Sequence, residues 1–340
     1  MDKLSTPSAS PSAPGNVPSR GGGAALVDPW ARRGPIPLDG PLERASVSPA
    51  TLGFMTGLLG LGAAFLLFQL VVSPVLLLVQ VSLSEGGLGA LQTMGNPDEL
   101  LSTYTRELII SNSGGQVLGL VLPAVLMARF HSTRVAEYLR LRRVDPRFLL
   151  LAGLGILGLQ PVVQWLVQVN QLLPLPETVR AFEQTQLELI RTVLESGLGV
   201  SFNLVALALV PGVCEELLFR GYAQRQFERA SGPAGGILLS GVLFGIYHLR
   251  PSQVLPLAAL GIYLAYLTWR TGSLWPAIFV HALHNGLAVL MARFVRDSSA
   301  YDLETLEQAA MPWYAVVGGF AIFGAVLYVL HSLARRLRES

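Results

Sequence analysis

The sequence predicts an all-α fold: a polytopic bundle of about eight membrane-crossing helices. Three observations predict it. Hydrophobic residues make up 51% of the 340 and charged residues only 14%, against roughly 25% charged in an average soluble domain. The mean hydropathy of +0.51 agrees. Apolar runs near 20 residues, the length needed to cross hydrocarbon, recur along the chain. The basic residues between those runs are unequally shared between the two sides.

In chain order, residues 1–48 are rich in Ser, Pro, Gly and Ala without apolar periodicity. They read as a disordered cytoplasmic tail. The first apolar run begins only near Thr51, which argues against a cleaved leader. The membrane-embedded domain is expected over 49–340. Its spans are predicted at 53–80, 107–129, 148–172, 197–217, 234–249, 253–269, 274–294 and 312–333, the first kinked or tilted around Pro74. If every span crosses from a cytoplasmic N-terminus, 18 of the 24 Lys and Arg fall on the cytoplasmic side. That asymmetry favours both termini inside. The segment 176–196 alternates charges with apolar residues at helical spacing and reads equally as an interfacial helix or a solvated connector. A net charge of +2 gives no reason to invoke nucleic acid, and a single cysteine, Cys214, excludes an internal disulfide or a Cys-rich metal site.

Three polar clusters interrupt this apolar text: Glu215-Glu216-Leu-Leu-Phe-Arg220, Phe244-Gly-Ile-Tyr-His248 and His281-Ala-Leu-His284-Asn285. Ionisable groups inside a membrane are costly, so each is a functional candidate. Glu216 and Arg220 stand at i and i+4 with the acid N-terminal, the favoured order for a pair. Glu215 points about 100° away and is left to take a proton from water. The plain alternative is a solvated glutamate pair at a helix end. Phe244 and His248 share a face, and Pro251 ends their helix, so a free carbonyl can hold one ring nitrogen. His281 and Asn285 share a face and suit an oxyanion, or serve as polar glue between helices. His284 is rotated away, and Cys214, without a base or positive surroundings, reads as inert.

The pattern E-E-x-x-x-R, F-x-x-x-H and H-x-x-x-N, in the text EELLFRGY (215–222), FGIYHL (244–249) and RTGSLWPAIFVHALHN (270–285), resembles the CPBP family. These are the CAAX-protease and bacteriocin-processing membrane endopeptidases, also called Rce1-like or ABI. The resemblance covers roughly 195–295. It implies an intramembrane peptidase cutting near the C-terminus of a membrane-tethered protein or peptide, either CAAX-type or bacterial processing and sorting. By the family pattern Glu215 and His248 activate water and His281 and Asn285 form the oxyanion hole. Glu216, Arg220 and Phe244 support the site. No cofactor is favoured. Zinc on Glu215, His248 and His281 is the alternative. The Ala-, Gly- and Arg-rich composition suggests a bacterial inner membrane. A non-catalytic scaffold or immunity-type protein of the same fold, or a proton-coupled transporter, would use the same polar groups differently. The absence of an evident repeat weighs against the transporter. One geometric demand follows. At 1.5 Å per residue, His248 lies deeper from the start of its predicted span than His281 does in its own, so the fifth helix must begin outside the bilayer or tilt.

Overall fold

In hydrocarbon the backbone has no hydrogen-bond partner but itself, so apolar runs become helices. The computed structural model describes residues 24–31, 33–84, 100, 103–195, 197–297 and 310–339. Among the described residues, seven helices are long and apolar enough to cross a membrane: α1 Pro49–Ser82, α2 Thr105–His131, α3 Pro146–Gln171, α5 Val200–Tyr247, α6 Pro251–Thr271, α7 Trp275–Asp297 and α8 Trp313–Glu339. The chain is an integral, multi-pass membrane protein. A further helix, α4 Glu177–Glu195, is amphipathic. The buried Glu183 on α4 accepts a hydrogen bond from the Ser252 backbone N–H at 2.8 Å, four residues past His248.

Seven helices still make eight passes, because α5 is two. Gly232 takes φ 75° and ψ 178°, a conformation open only to glycine, and Pro233 follows it. The chain reverses there into an antiparallel hairpin. Glu215 faces His248, Phe219 faces Phe244, and Glu228 lies against Gly236. The two numbers in each pair add to nearly the same total, which is the register of a turn centred on 232. The returning arm packs its Gly241 and Gly245 on α6, where a Cβ on Gly241 would lie 2.6 Å from the Ile262 nitrogen. Glycines four apart permit such backbone approach.

The predicted end of the fourth span at 217 is therefore too early: the helix runs on to 231. The sequence reading ended the span at 217 and counted Arg220, Arg225 and Arg229 on the cytoplasmic side. Each is instead buried or half-buried against a partner. Arg225 meets Asp28 at 3.1 Å, Arg229 meets Glu43 at 2.8 Å, Arg140 pairs with Glu228, and Gln226 donates to the Tyr138 hydroxyl at 2.6 Å.

Two of those partners come from the stretch expected to be a disordered tail, and this corrects that expectation for its second half. Ala25–Leu26 (β1) and Ile36–Pro37 (β2) pair antiparallel. Ile36 and Leu38 are buried in the same core as Tyr138, Phe219 and Phe227. Asp39 accepts from the Thr133 N–H at 2.8 Å. Gly40 sits so close to Phe130 that a Cβ would lie 2.1 Å from its carbonyl oxygen. Composition missed this strap because its order comes from the arginines it neutralises, not from an apolar period. Residues 1–23 lie outside the described residues. Arg338, near the end of α8, stacks over the Trp30 ring at 4.6 Å, so the strap and the C-terminal helix end on the same side. Burial works to raise the Asp28 pKa, but Arg225, Arg142 and Arg140 outweigh it and hold the carboxyl well below the usual range.

Candidate active site

The descending arm of α5 carries the acids. Just beyond Glu216 the helix widens by one residue per turn over Leu217–Ala223, a π-type turn of the kind found at functional sites. Glu216 and Arg220 are both fully buried, and Arg220 Nη1 donates to Glu216 Oε1 at 2.9 Å. Arg220 Nη2 donates to the Gly261 carbonyl at 3.0 Å. Glycine at 261 admits the guanidinium, since a Cβ there would lie 3.2 Å from Nη2. The Phe244 ring lies under the same guanidinium at 4.3 Å. A buried ion pair needs this many partners to offset its desolvation.

Each histidine is held by one nitrogen. His248 Nδ1 lies 2.7 Å from the Phe244 carbonyl oxygen. A carbonyl only accepts, so Nδ1 carries the proton and Nε2 of the neutral ring offers a lone pair. His281 Nδ1 lies 2.9 Å from Glu216 Oε1. That carboxylate is already paired with Arg220, so it too is the acceptor and His281 Nε2 is left open. Both open nitrogens face one atom. Glu215 Oε2 lies 3.9 Å from His248 Nε2 and 4.0 Å from His281 Nε2. Those distances exceed a direct hydrogen bond. Phe244 touches both rings edge-on, at 4.8 Å from His248 and 5.6 Å from His281.

The depth difficulty posed by the sequence is thereby resolved. Glu215 lies 17 residues before Gly232 and His248 lies 16 after it, about 25 and 24 Å up the two arms. The turn into α7 is set higher in the bundle. Leu274 packs beside Gly221, six residues from Glu215, and His281 is seven residues on from Leu274. The predicted boundary at 217 hid this, because it placed the start of the two arms' return at the wrong level.

Asn285 stands one turn beyond His281, and its Nδ2 donates to the Leu207 carbonyl at 3.2 Å, tying α7 to the descending arm. His284 faces away, with Nδ1 3.1 Å from Gln160 Oε1 on α3. Cys214 is buried and makes no part of the convergence. The sequence reading expected a backbone carbonyl on His248 without naming Phe244 O, and it missed Gly261 O. Glycine at 261 was a signal for close approach, but only the fold shows what approaches. Three acceptors thus surround a common point: one carboxylate oxygen and two imidazole nitrogens. Such a set can hold a water by its protons or share an added proton; as it stands, no three His, Cys, Asp or Glu among the described residues are placed to hold a metal ion.

Comparison with known proteins gives the same segment. Residues 197–287 match the family model for type II CAAX prenyl endopeptidases, Rce1-like. The motif resemblance is thus shown over this stretch. All four candidate residues, Glu215, His248, His281 and Asn285, lie inside the Rce1-like segment. A curated protein of Bacillus subtilis (strain 168), "Putative membrane peptidase YdiL", is 30% identical over 122 residues, which is 36% of this chain and 47% of that protein. The match thus spans about half the length of that relative. No solved structure matches.

Proposed function

We propose that the protein is an intramembrane endopeptidase that hydrolyses a peptide bond near the C-terminus of a membrane-tethered protein or peptide. The observation that carries this is the convergence of Glu215, His248 and His281 from three helical segments of the Rce1-like stretch onto one buried point.

In this reading a water sits between Glu215 and His248, donating to both acceptors. Glu215 takes one proton as the water oxygen bonds to the scissile carbonyl carbon. The carbonyl oxygen becomes an oxyanion, and Glu215 returns the proton to the departing amine as the C–N bond breaks. His281 donates to the oxyanion through Nε2 when the ring carries a second proton, and Glu216 holds that ring by Nδ1. The second Nδ2 hydrogen of Asn285 completes the hole. Glu216, Arg220 and Phe244 fix the two rings. Glutamate-dependent, metal-free chemistry is the version proposed. The same three atoms also make a His₂Glu donor set for zinc, which would polarise the carbonyl and acidify the water. Their 3.9–4.0 Å separations are wider than the about 3.4 Å between ligands of a tetrahedral zinc, so the groups would have to draw in. Orientation follows the same reading: a bacterial inner membrane with the strap and both termini cytoplasmic, as the basic residues favour.

The test is a comparison of membrane-protein termini between cells carrying wild type and Glu215→Gln at equal expression. New C-termini present with wild type and lost in the variant are expected. Identical termini in both would end the peptidase reading. Metal analysis of the purified, active protein, with chelator treatment, decides between the two versions of the chemistry.

A further inference from the structure

His248 carries one of the two open nitrogens, yet it stands where its helix stops. The returning arm ends at Tyr247, and Leu249 takes φ 52°. Helix ends fray unless something beyond them is held. The bond from His248 Nδ1 to Phe244 O ties the ring to that same last turn, so a turn that frays carries Nε2 away from Glu215. Two local bonds follow, Leu249 N–H to Ile246 O at 3.0 Å and Gln253 N–H to Arg250 O at 2.8 Å. They close on either side of the Leu249–Arg250 link, and neither crosses it.

The chain just past His248 is gripped instead from two other helices. Asn170, fully buried at the end of α3, holds it at two points. Its Nδ2 donates to the Pro251 carbonyl at 2.8 Å, and its Oδ1 accepts from the Leu255 N–H at 2.7 Å. Between those points the buried Glu183 of α4 accepts from the Ser252 N–H at 2.8 Å. Backbone that leaves a helix within a membrane protein must find its partners inside the protein, and here two side chains supply three of them. A buried amide or carboxylate is costly unless it is bonded in this way. Both residues lie outside 197–287, the stretch that matches the Rce1-like model, so the site motifs do not name them.

We propose that Asn170 and Glu183 are positioning residues of this site: by clamping 251–255 they hold the end of the returning arm, and with it His248 Nε2, in its place opposite Glu215. Both act through backbone and not on the reacting atoms. The proposal rests on the peptidase reading for its effect on rate, and not for its effect on the His248 ring.

The experiment uses the full-length protein in lipid bilayers, its histidine rings labelled with nitrogen-15, and solid-state NMR at a single pH. The spectrum of His248→Gln identifies the His248 signals among those of the five histidines. Asn170→Leu keeps the volume and removes the amide. It is expected to split the His248 ring signals into more than one set while those of His131, held at the strap by Glu43, stay fixed. For a substrate found by the terminus comparison, kcat should fall about tenfold or more with KM little changed. Glu183→Met should act in the same direction, whereas Glu183→Gln keeps an acceptor for the Ser252 N–H and should behave as wild type. The Glu183 pair carries the test if Asn170→Leu does not fold. Unmoved His248 signals, signals of all histidines moving together, or Glu183→Gln as impaired as Glu183→Met overturns the assignment. The ring signals need no substrate. They therefore decide the clamp even if Glu215→Gln leaves every membrane-protein terminus unaltered, the result that removes the peptidase reading itself.

Discussion

Replacing the Glu216–Arg220 pair separates what holds the fold from what orients the chemistry. Both side chains are fully buried, 2.9 Å apart, and Glu216 Oε1 also holds His281. Removing one partner of such a pair strands the other charge in the interior, at a cost of about 3–5 kcal/mol. Arg220→Met leaves Glu216 with His281 alone, and the effect should lie within that range. Glu216→Leu strands the guanidinium, which keeps Gly261 O and the Phe244 face, and the effect should again lie within that range. The double variant Glu216→Leu, Arg220→Met strands no charge, though the Gly261 carbonyl and His281 Nδ1 lose their partners. Replacing a whole buried pair by apolar groups of similar size is often neutral, so its stability should return to within about 1 kcal/mol of wild type. Its His281 ring, however, has lost the carboxylate on Nδ1. Losing such a supporting group typically costs 10–100-fold in activity. Reversible unfolding of the purified proteins in mixed detergent, with cleavage rates beside it, reads both quantities. A double variant as unstable as the singles would show that the pair is not the balanced unit described. A double variant with full activity would show that Glu216 does not hold His281 to any catalytic purpose.

The remaining predictions concern the scaffold and the strap. Asp28→Asn removes the acid shared by Arg142 and Arg225 and should free the strap, read as faster proteolytic nicking within 24–48 while the helices stay intact. The Asp28 pKa is depressed in the folded state, so its contribution is present above the unfolded value of about 3.9 and is lost as pH falls through the lower folded value. The contribution of Asp28 itself should therefore be flat from pH 5 to 8 and fall only under stronger acid. Gly241→Ala drives a Cβ to 2.6 Å from the Ile262 nitrogen and should destabilise by about 1–3 kcal/mol, seen as a lower unfolding midpoint. Leu249 holds φ 52° directly after His248; Leu249→Gly should stabilise by about 1 kcal/mol by relieving that conformation, and an unchanged or lower midpoint would contradict it.

Much of the architecture was legible because the bilayer admits so few solutions. Apolar runs of crossing length must be helices, and α1, α2, α3, α7 and α8 fall where hydropathy alone puts them. Hydropathy failed where charge is present but paired. Residues 217–231 look like a loop to any count of charged residues, yet they are helix, because Asp28, Glu43 and Tyr138 arrive from distant parts of the chain to meet Arg225, Arg229 and Gln226. The same long-range pairing orders the strap, whose composition resembles a linker. The two errors are one error. Local composition prices a charge as if it stood in water or lipid, whereas its free energy depends on a partner that only the fold supplies.

The site shows the complementary case. Residue types at motif spacing pointed to Glu215, His248 and His281, but spacing along one helix says nothing about depth across three. What brings the groups level is a single glycine, Gly232, far from all of them in sequence. Because the hairpin turns there, Glu215 and His248 stand at matched heights on its two arms. Lengthening only one arm would destroy that match. Inserting one alanine after Phe227 rotates the rest of the descending arm by about 100° and shifts it by about 1.5 Å relative to the returning arm, while leaving every site residue in place in the sequence. If the converging acceptors do the chemistry, that insertion should abolish cleavage although Glu215, His248, His281 and Asn285 are all intact. An equally active insertion variant would mean that the hairpin register is not what assembles the site.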